Sequence, residues 1–407
     1  MTSRFRNRAI GLSSVGLAMM LALPVQAADT QLLDILLKNG SITQEQYHQL
    51  AKSDATSSTT AAPGKTSAGL YTSDDGKTTV GGVGFIDMTN IEQKSNGSKV
   101  ANTGTGLDVK RFYLGVNHEF DSLWSANLTT DFTYNSTTKL TDVYVKKAYV
   151  QAKLSDAAII RAGSADMPWI PYVEGLYGYR YVENTLIDRL KVGTSADWGL
   201  HAGGKLADGM VNYAASVVNG NGYKNPSRTK GMDFEGRIGF EPIKGLNLGA
   251  GFYNGKLGQD TQGGAATRTA SRWNAVVAYV NPMFRVGAEY FSAQDWNIGS
   301  NNAVLSAKPS DKADGYSLWG SVSPMEKVTL FTRYDAAKPN KDTAPTLKDT
   351  YYNLGVSYQA RKNVDLALTY KHEKVDNGSV TTASSGTIGG TTDGTYNEIG
   401  VWSQVKF

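Results

Sequence analysis

From residue 79 onward, apolar and polar residues alternate every second position in runs of about ten, each closed by a turn. A period of two places successive side chains on opposite faces of an extended strand. In residues 111–120, Phe112, Leu114 and Val116 interleave with Arg111, Tyr113 and Asn117. In residues 143–153, Ala148, Val150 and Ala152 interleave with Lys147, Tyr149, Gln151 and Lys153. Leu246, Leu248, Ala250 and Phe252 repeat the theme, as do Trp273, Ala275, Val277 and Tyr279. The final run, 396–407, puts Ile399, Val401, Val405 and Phe407 on one face.

The connections between these runs come in two kinds. Short ones fall near residues 120–123, 154–157, 206–209, 241–245, 281–283, 323–326 and 360–363. Long polar ones fall near 90–106, 134–140, 164–189, 219–230, 256–270, 295–313, 338–348 and 375–394. They alternate without exception, and seven short with eight long connections join sixteen strands. Outer-membrane barrels keep tight turns on the periplasmic side and long loops outside, whereas a secreted sandwich has no reason to segregate them. Within lipid every backbone polar group must be paired without water, which among β structures only a closed barrel achieves. The predicted fold class is all-β: a 16-stranded antiparallel transmembrane β-barrel over 79–407, preceded by a short N-terminal helical segment.

The residues before the barrel divide into three. Arg4, Arg6 and Arg8, an apolar run and the small-residue site Val25-Gln26-Ala27 read as a signal peptide over 1–27. Residues 28–52 carry a helical stripe, Leu32, Leu33, Ile35, Leu36 and Leu37, stopped by Asn39-Gly40 and followed by a capping-box spacing from Thr43 to Gln46. Residues 53–78 are rich in Ser, Thr, Ala and Gly and read as a flexible linker. Its Gly64-Lys65-Thr66 and Gly76-Lys77-Thr78 lack the earlier glycine that a phosphate-cradling loop needs.

Composition narrows the function classes. After Ala27 no run of 18 or more residues is apolar, so no transmembrane helix is predicted. The 44 glycines and 22 tyrosines suit many membrane strands with aromatic belts, and the absence of cysteine removes thiol chemistry. The formal charge of +4 falls to +1 once the three leader arginines are removed, so bulk charge names no partner. Of the four histidines, His48 lies in the helical segment, His118 near a turn, and neither His201 nor His372 has an accompanying nucleophile motif. No enzyme, cofactor, metal cluster or nucleic-acid patch is predicted; the other reading is a non-conducting structural or adhesive barrel.

The stretch 159–189, IIRAGSADMPWIPYVEGLYGYRYVENTLIDR, begins as a strand and continues as a long aromatic loop bearing charges of both signs. Structureless connections of this length are usually functional. It is expected to fold into the barrel mouth and narrow it, with Asp166, Glu174, Arg180 and Glu183 at the narrowest point. Strict alternation aims Arg111, Lys147, Lys153, Arg161, Arg237, Arg272, Arg285 and Arg333 inward, together with the acids Asp131, Asp233, Glu235, Glu289, Asp335 and Glu398. The loop aromatics Trp169, Tyr172, Tyr177, Tyr179 and Tyr181 either stack on a ring-bearing solute or pack the loop against the wall.

The prefix LLDILLKNGSITQEQY, the VKRFYLGV of the second strand, the IIRAGSADMPW entering the third long loop and the late phenylalanine resemble the phosphate-selective porin O and P family. The resemblance spans essentially the whole chain after the leader. It implies a trimeric, sixteen-stranded channel in the bacterial outer-membrane lipid that passes small hydrophilic solutes, with inward basic residues favouring anions such as phosphate. One departure stands out: Asp166 occupies the loop entry where the family carries a lysine, so architecture carries over better than phosphate selectivity. An unselective channel, or one preferring sugars or amides, fits the same wall.

Overall fold

The computed structural model describes residues 70–101, 103–135, 140–298 and 301–407, with Lys38 and Thr43. The expected signal peptide, nearly all of the helical segment and most of the linker lie outside the described residues. At the end of the segment read as a linker, Tyr71–Thr72 pairs with Val80 and Thr79.

Sixteen long strands follow in antiparallel order: β1 (Thr78–Ser95), β2 (Gly104–Glu119), β3 (Trp124–Asn135), β4 (Leu140–Ser155), β5 (Ala158–Asp166), β6 (Ala196–Leu206), β7 (Val211–Val218), β8 (Asp233–Ile243), β9 (Leu246–Gly255), β10 (Ala270–Val280), β11 (Phe284–Gln294), β12 (Lys312–Met325), β13 (Val328–Lys338), β14 (Lys348–Arg361), β15 (Val364–Asp376) and β16 (Gly394–Lys406). Each pairs with its sequence neighbours, and β16 returns to β1 from Val83↔Lys406 through Ser95↔Gly394, closing the sheet. Backbone bonds between Gly82 and Phe407 in both directions, 2.7 and 3.0 Å, extend that seam. Closure leaves no unpaired edge.

The outer face is apolar as alternation predicts. Phe112, Leu114, Val150, Leu248, Trp273, Val277, Ile399 and Val401 are all exposed there. Besides register shifts next to four of the short turns, alternation fails at two places within the strands. Between β1 and β2 the register slips at Phe85/Ile86, and between β3 and β4 at Thr129/Thr130. Each slip is a β-bulge, in which one extra residue, Lys110 and Lys146 respectively, faces a partner strand that has none to match it. The side chains on one side of a bulge are thereby re-aimed relative to those on the other.

The third long connection, 167–195, carries the only helices longer than one residue among the described residues, α1 (Ile170–Tyr177) and α2 (Leu186–Arg189). Pro171 in the first turn of α1 lacks an N–H that would have no partner anyway, and Gly178 ends the helix in the left-handed region at φ 82°. The loop is the core of the molecule: Trp169, Ile170, Val173, Leu186, Ile187, Leu190 and Val192 are buried together with inward residues of the wall.

Candidate channel constriction

The third loop is fastened across the lumen from one wall to the other. At its start, the Trp169 backbone N–H donates to Glu235 on β8 (2.9 Å) and its indole N–H to Glu289 on β11 (2.7 Å). Arg237 on β8 donates to the Pro168 carbonyl at 2.9 Å, and its guanidinium lies 4.0 Å from the centre of the Tyr172 ring. Arg285 on β11 donates to the carbonyls of Gly175 and Leu176 at the end of α1 (3.1 and 3.2 Å). Further along, Arg333 on β13 donates to the Asn184 carbonyl, Lys371 on β15 pairs with Glu183 at 3.3 Å, and the Lys110 ammonium reaches the Val182 carbonyl at 2.9 Å.

Arg189 of α2 is the deepest anchor. Its three guanidinium nitrogens donate to Asp335 on β13, Asp349 on β14 and Glu373 on β15 at 3.0, 2.5 and 2.8 Å. All four groups are buried. A planar, permanently charged fork is the side chain suited to join three carboxylates from three adjacent strands.

The predicted site residues therefore separate. Arg272 and Arg333 point inward but lie beneath the loop, with Arg272 pairing to Glu235 at 2.9 Å, so they do not line an open path. The reason is that the loop covers the β8–β15 wall, which a strand pattern does not reveal. Glu183 is likewise buried in the loop's contact with β15, and Arg237 and Arg285 hold the loop. Burial opposes the charge of Glu183, but Lys371 and then Lys110 outweigh it and hold its carboxyl well below the ordinary 4.5. Lys153 sits at the short turn, paired with Asp156 at 2.8 Å.

Arg111, Lys147, Arg161 and Asp166 stand on the other wall, β2–β5, which the loop meets at Lys110 and Tyr113. Lys147 neutralises Asp166 at 2.6 Å, Arg111 lies 3.6 Å from Asp131, and Arg161 donates to the neutral Gln151 at 2.8 Å. On the loop, Arg180 is clamped by Glu174 at 2.6 Å and Asp188 at 3.5 Å. Burial raises the Glu174 carboxyl, Arg180 opposes this and Asp188 adds to it.

Sequence reasoning missed the rest of this wall. Lys146 turns inward at its bulge, donating to the Tyr113 hydroxyl at 3.1 Å with its ammonium 4.3 Å from that ring's centre. The fourth long connection also bends inward, because the backbone N–H groups of Gly220 and Gly222 are tied to Asp197 at 3.0 and 3.1 Å. It delivers Tyr223 to Tyr144, with ring centres 5.9 Å apart, and sets the Lys224 ammonium 4.2 Å from the centre of the Tyr144 ring. Burial first, and then nearby Arg111, depress the Lys224 pKa, with Asp131 opposing. A signal was present: Lys110-Arg111 and Lys146-Lys147 are adjacent cations within strands, and a regular strand would push one of each pair into lipid.

The loop aromatics pack the loop. Trp169, Tyr177 and Tyr181 are buried, and Tyr179 stacks on Phe331 of β13 with ring centres 4.2 Å apart.

No family model matches the sequence, and no curated protein matches it. Solved structures do match the fold. An anion-selective porin from Comamonas acidovorans superposes with a TM-score of 0.59 at 12% identity, over 81% of this chain and 99% of that one. The outer membrane channel DcaP of Acinetobacter baumannii gives 0.56 at 13% identity, over 84% and 100%. A trimer form of OmpT, an outer membrane protein of Vibrio cholerae, gives 0.52 at 14%, over 81% and 100%. The resemblance to the phosphate-selective porin O and P family thus rests on the quoted motifs alone, while the closed sixteen-stranded barrel with its inward third loop has the fold of outer-membrane porins.

Proposed function

We propose that this chain is an outer-membrane porin through which small hydrophilic solutes diffuse passively, with a preference for anions. A barrel of sixteen strands is wide enough to hold an aqueous channel. The observation that carries the preference is the β2–β5 wall. Lys146, Lys224 and Arg161 have no carboxylate partner among the described residues, while Arg189, Arg272 and Lys371 beneath the loop are each paired with carboxylates. Uncancelled charge in a low-dielectric corridor raises the local concentration of the opposite ion. Arg111, Lys147, Arg161, Asp166, Glu174 and Arg180 belong to the same constriction. Asp166, where the family resemblance sets a lysine, is neutralised by Lys147 and so does not repel anions. The setting is the outer-membrane lipid, as a homotrimer, on the strength of that resemblance and of the likeness to a trimeric neighbour.

The test is the zero-current potential of the purified protein in planar bilayers across a potassium chloride gradient. Its sign is expected to report anion preference. A unit charge at about 4 Å in water is worth ~1 kcal/mol, roughly fivefold in local ion concentration. Lys146→Gln and Lys224→Gln are each expected to lower the anion-to-cation permeability ratio by up to about that factor. A cation-selective wild type overturns the preference, and liposomes that fail to swell in sugar overturn the channel.

A further inference from the structure

Each guanidinium at the constriction makes at least one bond to the protein itself. Arg111 is shared between Asp131 and the Lys110 carbonyl, Arg161 is held by Gln151, and Arg180 by Glu174 and Asp188. Two-pronged recognition of a compact oxyanion such as phosphate needs a free guanidinium fork, and on this wall only Arg161, bonded through its Nε alone and lying 5.5 Å from the centre of the Tyr149 ring, keeps both terminal nitrogens for one. The wall also offers two ammonium groups, each seated on a tyrosine: Lys146 on Tyr113 and Lys224 on Tyr144. An ammonium is a point charge with little preference for the shape of its counterion. Tyr223 joins Tyr144 at a 32° tilt, so one loop and two strands bring three phenol rings and two ammoniums without a carboxylate partner together. The strands supply them through the bulge at Lys146, and the fourth connection supplies them through its anchor on Asp197.

We propose that this cluster is a subsite for anions that carry a planar apolar ring, aromatic carboxylates in particular, which it favours over compact anions of equal charge. The carboxylate meets Lys146 or Lys224, and the ring lies against tyrosine, where aromatic pairs gain beyond simple area burial. The inference rests on the porin reading and adds the class of solute.

The experiment uses the full chain in planar bilayers carrying chloride current. Benzoate, cyclohexanecarboxylate, acetate and inorganic phosphate are added in turn, and the concentration that halves the current is read for each. Benzoate is expected to block at a concentration about two- to tenfold below acetate, with cyclohexanecarboxylate between them and phosphate no better than acetate. Tyr223→Leu is expected to bring the benzoate-to-acetate ratio towards one, and Tyr223→Phe to restore it. Tyr144→Leu repeats the comparison on a strand if the loop variant alters gating. Equal block by benzoate and acetate in an anion-preferring channel overturns this inference alone, as does tighter block by phosphate. A channel without anion preference overturns the parent reading as well.

Discussion

Arg189 shows how a single side chain positions a loop of nearly thirty residues, 167–195. Its charge is removed from water and returned as three hydrogen bonds to Asp335, Asp349 and Glu373. Removing one member of a buried ion cluster leaves the others uncompensated and costs about 3–5 kcal/mol. Arg189→Met is therefore expected to release α2 and expose Arg180 and Lys191 to trypsin, whereas the wild-type loop resists cleavage; digestion followed by mass spectrometry reads the outcome. Glu183 adds a pH dependence with a definite sign. Its folded-state pKa is depressed, so its contribution is fully present above the ordinary 4.5 and is lost as pH falls through the lower folded value. Protease resistance at pH 5 is expected to equal that at pH 7 and to weaken only well below 4.5. In Glu183→Gln that part of the acid dependence should vanish.

At the scale of elements, glycines in the wall and in the loop itself let the two approach closely. A Cβ on Gly251 of β9 would lie 2.5 Å from the Trp169 ring, and one on Gly178, at φ +82°, would lie 2.9 Å from the Arg285 guanidinium. Gly251→Val forces the indole off the wall at an overpacking cost of about 1–3 kcal/mol. Its expected signature is a noisier single-channel current than the wild type; a current as quiet as the wild type would mean that Trp169 repacks without moving the loop. The bulges matter equally. Without them Lys110 and Lys146 would face lipid, where a lysine at mid-depth costs about 2–4 kcal/mol. With them, each places a second cation beside Arg111 and Lys147.

The whole molecule depends on the seam between β1 and β16. Ile86 and Ser403 are directly opposed there, and the chain contains no cysteine. Ile86→Cys with Ser403→Cys is expected to oxidise to a disulfide within one chain, seen as faster migration of the denatured protein. Disulfide-linked dimers instead would mean that the sheet closes between chains. The barrel interior also divides into two halves. The β8–β15 wall spends its charges holding the third loop, and the β2–β5 wall keeps some of its charge available. That asymmetry, a property of no single strand, is what the proposed anion preference rests on.

Read from the chain alone, the period of two and the alternation of seven short with eight long connections determined a sixteen-stranded antiparallel barrel and the lipid face of its strands. Those features are local, because each strand states its own polarity and each turn its own length. The third loop was also legible as an interruption too long and too aromatic for a simple turn. Only the tertiary structure decided which inward charges stay open. Arg272 and Arg333 follow the alternation faithfully and are covered, while Lys146 and Lys224 are absent from it and stand at the β2–β5 wall. Coverage depends on where a distant loop lands, and inward aim depends on a one-residue mismatch between neighbouring strands; neither is a property of any residue's own neighbourhood in the chain.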